Sequence, residues 1–266
     1  MKYYTNAFDF PDYYRLPVHT RTKLEQAEDC LPKLDGTLGP WFCEDIDHFN
    51  HHRLDDLSSG SILLSHELSD YFMAQGEPVG IDRLRSKSER RALQSRLLPP
   101  GFPYVHHAQD FVTGLEQLAS YFLNEECLIR TRGLQCVPDK SDARWVFLPP
   151  ASIRPRLLDL HACLMDNHRR VPSLFCATVA ILAIWFCHPF RDGNGRVGRC
   201  LFQLILKSGG LRPGVTLPLR ELFSLSRGGH LIRARMVLTR DDWLPILDFF
   251  SNIVLISAQS ALSSVK

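Results

Sequence analysis

The sequence has no long hydrophobic run and no closely spaced pair of cysteines. No apolar stretch approaches the ~20 residues that a membrane-spanning helix needs, and the N-terminal residues include no apolar signal region. The eight cysteines form no Cys-x-x-Cys pair, and several lie within apolar runs, where a free thiol packs like a small hydrophobic group. We therefore expect no membrane partner, reduced thiols rather than a disulfide framework, and a cytoplasmic location.

An excess of positive charge is also missing, as are the motifs of several common enzyme classes. Lys and Arg number 31 against 29 Asp and Glu, so the formal net charge of +2 gives no broad basic surface, and we expect no nucleic-acid partner. The chain has no Gly-x-Ser-x-Gly elbow, no Walker A loop, and no glycine spacing that fits a Rossmann fingerprint. A phosphate site in this chain must therefore be built in another way.

Hydrophobic periodicity and helix-stop signals predict a chain of helices after an irregular arm over residues 1–20. The predicted helices cover 22–34, a broken stretch within 41–76, 108–124, 153–167, 172–187, 196–208, and about 218–225, 229–238 and 241–262. Two short strands are predicted within 127–150, on either side of a turn at 138–142.

One twelve-residue segment concentrates the polar chemistry of the chain. Residues 188–199 read His-Pro-Phe-Arg-Asp-Gly-Asn-Gly-Arg-Val-Gly-Arg and directly follow an apolar run at 181–187. Glycine takes positive φ without steric cost, and successive backbone N–H groups in such a turn converge on an anion-binding concavity. A helix starting at 196 directs the positive end of its dipole at the same point. The segment therefore predicts a phosphate site built on Gly193, Asn194 and Gly195.

The side chains around this turn suit a polyphosphate and a proton transfer. Arg196 and Arg199 are three residues apart on one helix face, and guanidinium forks match phosphate oxygens. A lone carboxylate such as Asp192 beside phosphates is a typical Mg²⁺ ligand. His188 is the only side chain of the segment that titrates near neutral pH, and Phe190 is predicted to point inward and anchor the loop. A Gly-Asn-Gly turn alone is a common helix connector, but the combination indicates a catalytic site.

The same segment resembles the signature of the Fic family, His-x-Phe-x-Asp/Glu-Gly-Asn-Gly-Arg-x-x-Arg, and it matches every specified position. The likeness extends over roughly residues 110–255, where 130–150 is similar to the family's flap hairpin and 221–252 to its closing helices. The resemblance implies a mainly α fold, a Fic-type helical bundle with a small β-hairpin flap and an N-terminal helical extension. A Pro-rich break at 98–103 predicts a boundary between an N-terminal helical region, 1–100, and a Fic core domain, 101–266.

The resemblance also implies the activity of a protein adenylyltransferase (AMPylase), which transfers AMP from Mg-ATP to a Ser, Thr or Tyr hydroxyl of a target protein. By this likeness His188 is the catalytic base that deprotonates the hydroxyl, and Asp192 holds Mg²⁺ on the phosphates. The other motif residues bind phosphates, the turn at the phosphate under attack and the arginines at the outer ones: Gly193, Asn194, Gly195, Arg196 and Arg199. The expected cofactors are ATP and Mg²⁺, the expected partner is a protein substrate, and no particular oligomeric state is indicated.

The flap, roughly residues 131–148, is implied to dock the target by main-chain pairing of an extended segment. Its candidate docking residues are Thr131, Leu134, Val137 and Trp145.

Regulation departs from the family pattern. Many relatives carry an inhibitory Ser/Thr-x-x-x-Glu helix, which would fall near 57–64. Here Ile62 stands four residues after Ser58, and Leu63 stands four residues before Glu67. We therefore expect the ordinary self-inhibition to be absent or altered.

The nucleotide base is also left open. His230-Leu231 stands on the helix after the motif, where relatives often have Tyr-Tyr. The donor is therefore open to UTP, GTP or a non-nucleotide pyrophosphate compound. Two further alternatives to adenylyl transfer are removal of AMP from a modified protein and a non-catalytic nucleotide-binding adaptor.

Overall fold

The structure, a computed structural model, describes residues 3–5, 8–34, 37–38, 79–80, 87–95, 97–136, 144–217, 219–226 and 229–263. This part of the chain is mainly helical, as predicted. The helices are α1 (Val18–Glu28), α2 (Lys87–Gln94), α3 (Ala108–Leu123), α4 (Pro150–Asn167), α5 (Ser173–Cys187), α6 (Asn194–Ser208), α7 (Leu219–Leu225), α8 (Gly229–Arg240) and α9 (Leu244–Ser263). The strands are β1 (Tyr3–Thr5), β2 (Thr37–Leu38), β3 (Val79–Gly80), β4 (Gln135–Cys136) and β5 (Arg144–Val146). The helical stretch predicted within 41–76, with Ser58 and Glu67, lies outside the described residues.

The chain forms two compact units, each assembled from two separate stretches of sequence. The first comprises Met1–Tyr13 and Arg91–Ile205, and the second comprises Tyr14–Arg90 and Leu206–Lys266. The division into regions 1–100 and 101–266 remains a prediction about sequence organisation, and neither region coincides with a compact unit.

Helix α5 forms the core of the first unit. Every residue of α5 except Trp185 is buried, because apolar side chains occupy all of its faces. Helix α4 contacts both α3 and α5. On α3, Phe111, Leu115 and Leu118 follow helical spacing and are fully buried. Each such side chain stabilises the fold by about 1.5–3 kcal/mol, so the loop that leaves α5 starts from a firmly packed support.

A three-stranded sheet in the first unit has the order β1-β5-β4. Strands β4 and β5 are antiparallel, with Gln135 opposite Val146 and Cys136 opposite Trp145. These are the two short strands predicted within 127–150, but the turn between them, including Val137, lies outside the described residues, so the hairpin flap stays a prediction.

Strand β1 was not expected, because residues 1–20 were predicted to form an irregular arm. It pairs in parallel with β5, in the register Tyr3–Arg144, Tyr4–Trp145 and Thr5–Val146. The prediction was wrong for these three residues because a run this short has no visible alternation. Tyr and Thr nevertheless suit a pleated edge when a partner strand is present.

The chain that follows β1 is held on α4 by aromatic and cationic contacts. The Arg156 guanidinium lies 4.7 Å from the centroid of the Phe8 ring and 4.0 Å from that of Phe10. The same group donates a hydrogen bond to the Phe8 carbonyl. Phe8 is buried and meets the Phe186 ring edge-on at 5.0 Å. We call Phe8, Phe10 and Arg156 the arm clamp.

The second unit is built around α1, α8 and α9, with α9 in contact with the other two. An ion pair joins Lys23 to Asp248. Helix α1 begins at Val18, earlier than the predicted 22, because Pro17 presets the backbone angle at a helix start. It ends at Glu28 rather than 34, and Leu31–Lys33 forms a 3₁₀ turn because Pro32 cannot continue an α-helix.

Candidate active site

The segment between α5 and α6, residues 188–193, is called the motif loop here. Its first residue, His188, has φ 46° and ψ 59°, a left-handed conformation that ends α5. The His188 backbone N–H still donates to the Ile184 carbonyl at 3.0 Å. Pro189 follows and disfavours a further helical turn. The imidazole is therefore fixed at the point where the buried helix stops.

Phe190 and Asn194 close the motif loop on itself. Phe190 is fully buried, and its role as an anchor of the loop stays a prediction. Its backbone N–H donates to Asn194 Oδ1 at 2.9 Å, and Asn194 Nδ2 donates to the Phe190 carbonyl at 2.8 Å. Asn194 is only 2% exposed. Its side chain is committed to the loop, so any contribution of Asn194 to phosphate binding comes from its backbone.

Helix α6 begins at Asn194, two residues earlier than predicted. Gly193 precedes it with φ +82°, a conformation that other residues adopt only with strain. The first N–H groups of a helix have no intrahelical partner, and they lie at the positive end of its dipole. The start of α6 thus directs hydrogen-bond donors to the mouth of the motif loop.

Charged side chains surround this helix start. The Asp192 side chain is 73% exposed, and its Oδ1 accepts the Gly193 N–H at 2.6 Å. Arg196 Nη2 lies 3.5 Å from Asp192 Oδ2, while Nη1 donates to the Phe122 carbonyl at 3.0 Å. A Cβ atom on Gly195 would lie 3.3 Å from Arg199 Nη1, so the second guanidinium passes directly over this glycine. The structure therefore brings Asp192, the turn and both predicted arginines together.

The His188 ring is half-buried and held on one face. Its plane stacks on Phe147, with the ring centroids 4.0 Å apart. Nδ1 lies 3.4 Å from the Trp185 carbonyl, and since a carbonyl only accepts, Nδ1 carries the proton in that contact. Burial lowers the pKa of His188; the Trp185 carbonyl and Asp192 oppose this shift, and Arg130 adds to it. Burial thus favours the neutral ring, and in that form Nε2 can accept a proton.

Arg130 connects the motif loop to the strands, a role that the sequence did not reveal. The residue is 8% exposed, and its own N–H donates to the Pro189 carbonyl at 2.9 Å. Its guanidinium donates to the carbonyls of His188 at 2.7 Å, Arg132 at 2.8 Å, Leu148 at 2.6 Å and Cys187 at 3.3 Å. No sequence motif indicates such a residue, because its partners are backbone carbonyls and all but that of Arg132 are distant in sequence.

Comparison with known proteins agrees with the motif. The sequence model of the Fic/DOC family matches residues 117–206, which run from α3 into α6 and include the whole motif loop.

This chain contains a Fic/DOC domain.

Solved structures of Fic proteins share its fold. C. elegans Fic-1 is 17% identical, with 93% of this chain and 73% of that chain covered and a TM-score of 0.54. A Fic family protein from Desulfovibrio desulfuricans G20 is 14% identical, with 96% and 77% covered and a TM-score of 0.53. A Fic domain-containing signaling protein from Bacteroides thetaiotaomicron is 16% identical, with 91% and 96% covered and a TM-score of 0.50. A search of curated proteins gives no match.

The Fic domain supports an enzyme of the transferase type, typically one that moves part of a nucleotide. Asp192, an exposed carboxylate beside the start of α6, suits that chemistry. Within the described residues, no three His, Cys, Asp or Glu side chains are grouped to hold a metal ion. Mg²⁺ commonly takes only one or two carboxylates and shares the phosphates of its substrate, so Asp192 alone fits the expected ion. Among the same residues, no helix combines the length and apolar character needed to cross a membrane.

Three of the four predicted docking residues belong to the described part of the chain, where they lie in or just before the strand pair. Thr131 is exposed and precedes β4. Leu134 is half-buried, and its carbonyl accepts the Phe147 N–H at 3.1 Å. Trp145 lies in β5 between Cys136 and Tyr4. The strand pair thus leads directly to the residue that stacks on His188.

His230 and Leu231 lie in α8 of the second unit. His230 Nδ1 is 2.9 Å from Ser226 Oγ, and its ring stacks on Phe223 with centroids 4.5 Å apart. Leu231 is 50% exposed. The departure from the family's Tyr-Tyr pair is therefore accommodated by a local ring stack and one hydrogen bond.

Proposed function

We propose that the Fic domain is a protein adenylyltransferase, which transfers AMP from Mg-ATP to a Ser, Thr or Tyr hydroxyl of a target protein. The observation that supports this most is the placement of a half-buried imidazole at one end of the motif loop and of the positive end of α6, with its arginines, at the other. A binding module needs the second feature only, whereas a group transfer to a hydroxyl needs both.

The chemical step places a proton on His188. The target hydroxyl oxygen forms a bond to the α-phosphorus while the bond from that phosphorus to the bridging oxygen breaks. AMP becomes attached to the target, and pyrophosphate leaves. The hydroxyl proton passes to Nε2 of His188, which is the unprotonated nitrogen when Nδ1–H donates to the Trp185 carbonyl.

The remaining motif residues orient the phosphates. Backbone N–H groups of Asn194 and Gly195 would face the phosphate under attack, joined by the Gly193 N–H once it is released from Asp192 Oδ1, and Arg196 and Arg199 would hold the outer phosphates. When bound, Mg²⁺ would offset charge on the α- and β-phosphates, and Asp192 is the carboxylate that would hold it. Positioning and charge stabilisation provide most of the catalysis in transfers of this kind.

Labelled nucleotide transfer tests this proposal. The protein is incubated with a cell lysate, Mg²⁺ and labelled ATP, and labelled protein bands are expected. His188→Ala should decrease their formation about 10²–10⁴-fold, because a positioned base contributes about that much. His106→Ala is the matched control, since His106 is an exposed histidine of the same unit. A His188→Ala variant that labels at the parent rate would show that this imidazole is not the base.

The same assay separates the alternatives. Parallel reactions with labelled UTP and GTP determine the donor, which the change at His230-Leu231 leaves open. Loss of label from previously modified protein would indicate removal of AMP. Nucleotide binding without any labelled band would indicate an adaptor.

A further inference from the structure

The N-terminal strand of this chain covers one edge of β5. Strand β5 has two edges, and among the described residues β4 pairs with one and β1 with the other. The sheet thus already contains a third strand, supplied from a distant part of the sequence. An extended peptide binds such an edge by main-chain hydrogen bonds when the edge is open.

The covered edge leads to the candidate base. Strand β5 ends at Val146, and the next residue, Phe147, stacks on His188. Because β1 is parallel to β5, its last residue, Thr5, is the one opposite Val146. A segment added at this edge therefore runs toward the imidazole, as the reacting segment of a protein substrate must.

The arm clamp fixes this strand in place from the side. The Phe8 and Phe10 rings both lie against the Arg156 guanidinium and meet each other edge-on at 5.5 Å, so the chain three residues beyond Thr5 is held on α4. A short tether keeps the effective concentration of a bound segment at roughly millimolar. The edge of β5 cannot hold both segments at once. A target segment at a concentration below this effective concentration therefore pairs with β5 mainly after β1 has left.

Release of β1 from the edge of β5 nevertheless requires little free energy. Three residues make few main-chain hydrogen bonds, and the net contribution of each to stability is small. Beside the clamp a cavity of about 490 Å³ lies between the arm and α4, lined by Phe8, Asp9, Leu148 and Arg156 among others. The arm thus borders an open cleft on α4.

We propose that β1 is an intramolecular occupant of the β5 edge that an extended segment of the target protein would otherwise pair with. The inference rests on the proposed function, since it assigns the regulation of that same site. The chain competes with its own substrate through main-chain pairing at the strand, which requires no glutamate near the phosphate-binding arginines.

A variant that lacks residues 2–7 tests the strand itself. Amide hydrogen exchange at residues 144–147 is expected to be about tenfold faster in this variant, because the edge amides lose their partner. A fluorescent peptide of residues 1–10 is expected to bind the shortened protein and not the full chain. Both measurements are independent of nucleotide and of catalysis. Unchanged exchange, or absence of peptide binding, would overturn the proposal.

Labelling of lysate proteins tests the competition. At limiting target the shortened protein should label about tenfold faster, as expected for an edge that is open one-tenth of the time in the full chain. Addition of the peptide should return the rate to that of the full chain. A rate that is unchanged by deletion, or unaffected by bound peptide, would refute the competition. If neither protein labels anything, the proposed function fails, and exchange and peptide binding still decide whether β1 occupies the edge.

A pair of substitutions keeps the test independent of the deletion. Arg156→Ala removes the clamp and should accelerate both amide exchange at 144–147 and labelling. Arg154→Ala is its matched control, since this exposed arginine lies two residues earlier on α4 and contacts Gln109 instead of the arm. Equal behaviour of the two variants would contradict the role of the clamp.

Discussion

At the residue scale, the environment of His188 has a direct consequence for pH dependence. Burial lowers the pKa of this ring. The neutral form is the base, so the transfer rate should increase with pH and level off once the ring has lost its proton. We expect the midpoint of this rise in kcat/KM to lie below the ordinary histidine value of about 6.5. Measuring kcat/KM from about pH 5 to 8 checks this, and a midpoint at or above the ordinary value would contradict it.

Arg130 is a positioning residue, because it acts through the backbone of the loop and the strands. Arg130→Lys keeps the charge but not the fork that reaches four carbonyls. We expect kcat to fall at least tenfold with the pH midpoint unchanged, since Lys still repels a charged His188. Arg130→Met should also raise that midpoint, because the positive charge is lost.

A loss of folding stability alone would not give the Lys and Met variants of Arg130 different pH midpoints. Unsatisfied carbonyls cost about 1–3 kcal/mol in either variant, so both should unfold more easily. The exposed Arg132 offers the matched control Arg132→Lys, which should change neither kcat nor its pH dependence. Identical pH midpoints for the Lys and Met variants would contradict an electrostatic link between Arg130 and His188.

The sequence was enough to select the motif residues, whereas it did not show which atoms of each residue make which contacts. The burial of Phe190 followed from an apolar side chain in a polar run. The use of the Asn194 amide inside the loop did not, because spacing shows which residues are near one another and not which atoms they use. Arg130 is the stronger case, since only the fold brings its carbonyl partners together.

At the element scale, substitutions at two glycines near the start of α6 test a backbone effect and a side-chain effect separately. Gly193→Ala meets no atom closer than 3.9 Å, but φ of +82° strains any residue with a Cβ. We expect it to destabilise the protein by about 1–2 kcal/mol. Chemical denaturation measures this, and an unchanged free energy of unfolding would show that the loop relaxes to another conformation.

Gly195→Ala is the complementary change. Its Cβ would lie 3.3 Å from Arg199 Nη1, so the guanidinium must move by a few tenths of an ångström. Helical propensity favours alanine by up to about 1 kcal/mol, so stability should not fall. Nucleotide affinity should fall instead, and titration with Mg-ATP checks it. Lower stability with unchanged affinity would contradict a phosphate role for Arg199.

Elements with strong periodicity were predicted well. Helices α3, α4 and α5 lie within a few residues of their predicted bounds because long apolar faces and proline boundaries define them. The strand β1 was missed because its existence depends on β5, far along the chain. Local signals cannot show a pairing whose partner is more than a hundred residues away.

At the scale of the whole molecule, the second compact unit includes part of the N-terminal region, so this region is needed for stability. Helix α1 packs on α9, and Leu24 and Ala27 are fully buried. Leu31 and Leu34, which follow α1, are buried as well. A buried leucine contributes about 1.5–3 kcal/mol, against a total of about 5–15 kcal/mol for a typical protein.

A chain of residues 101–266 should therefore be much less stable than the parent and prone to aggregate. The variant without residues 2–7 keeps α1 and is the control, with thermal unfolding close to that of the full chain. A 101–266 chain that unfolds at the parent temperature would instead support the division predicted from the Pro-rich break.

The side-chain amide of Asn194, which makes two hydrogen bonds, also affects the chemical ageing of the protein. Asn-Gly sequences lose ammonia readily when the glycine nitrogen can attack the side-chain carbonyl. Here that amide is sequestered, and the first turn of α6 fixes the glycine nitrogen away from it. Each excursion to the unfolded chain removes this protection, and conversion to aspartate would delete the donor to Phe190. On prolonged heating, irreversible deamidation should therefore occur first at Asn194. Mass spectrometry should detect it as a gain of about one dalton at this position.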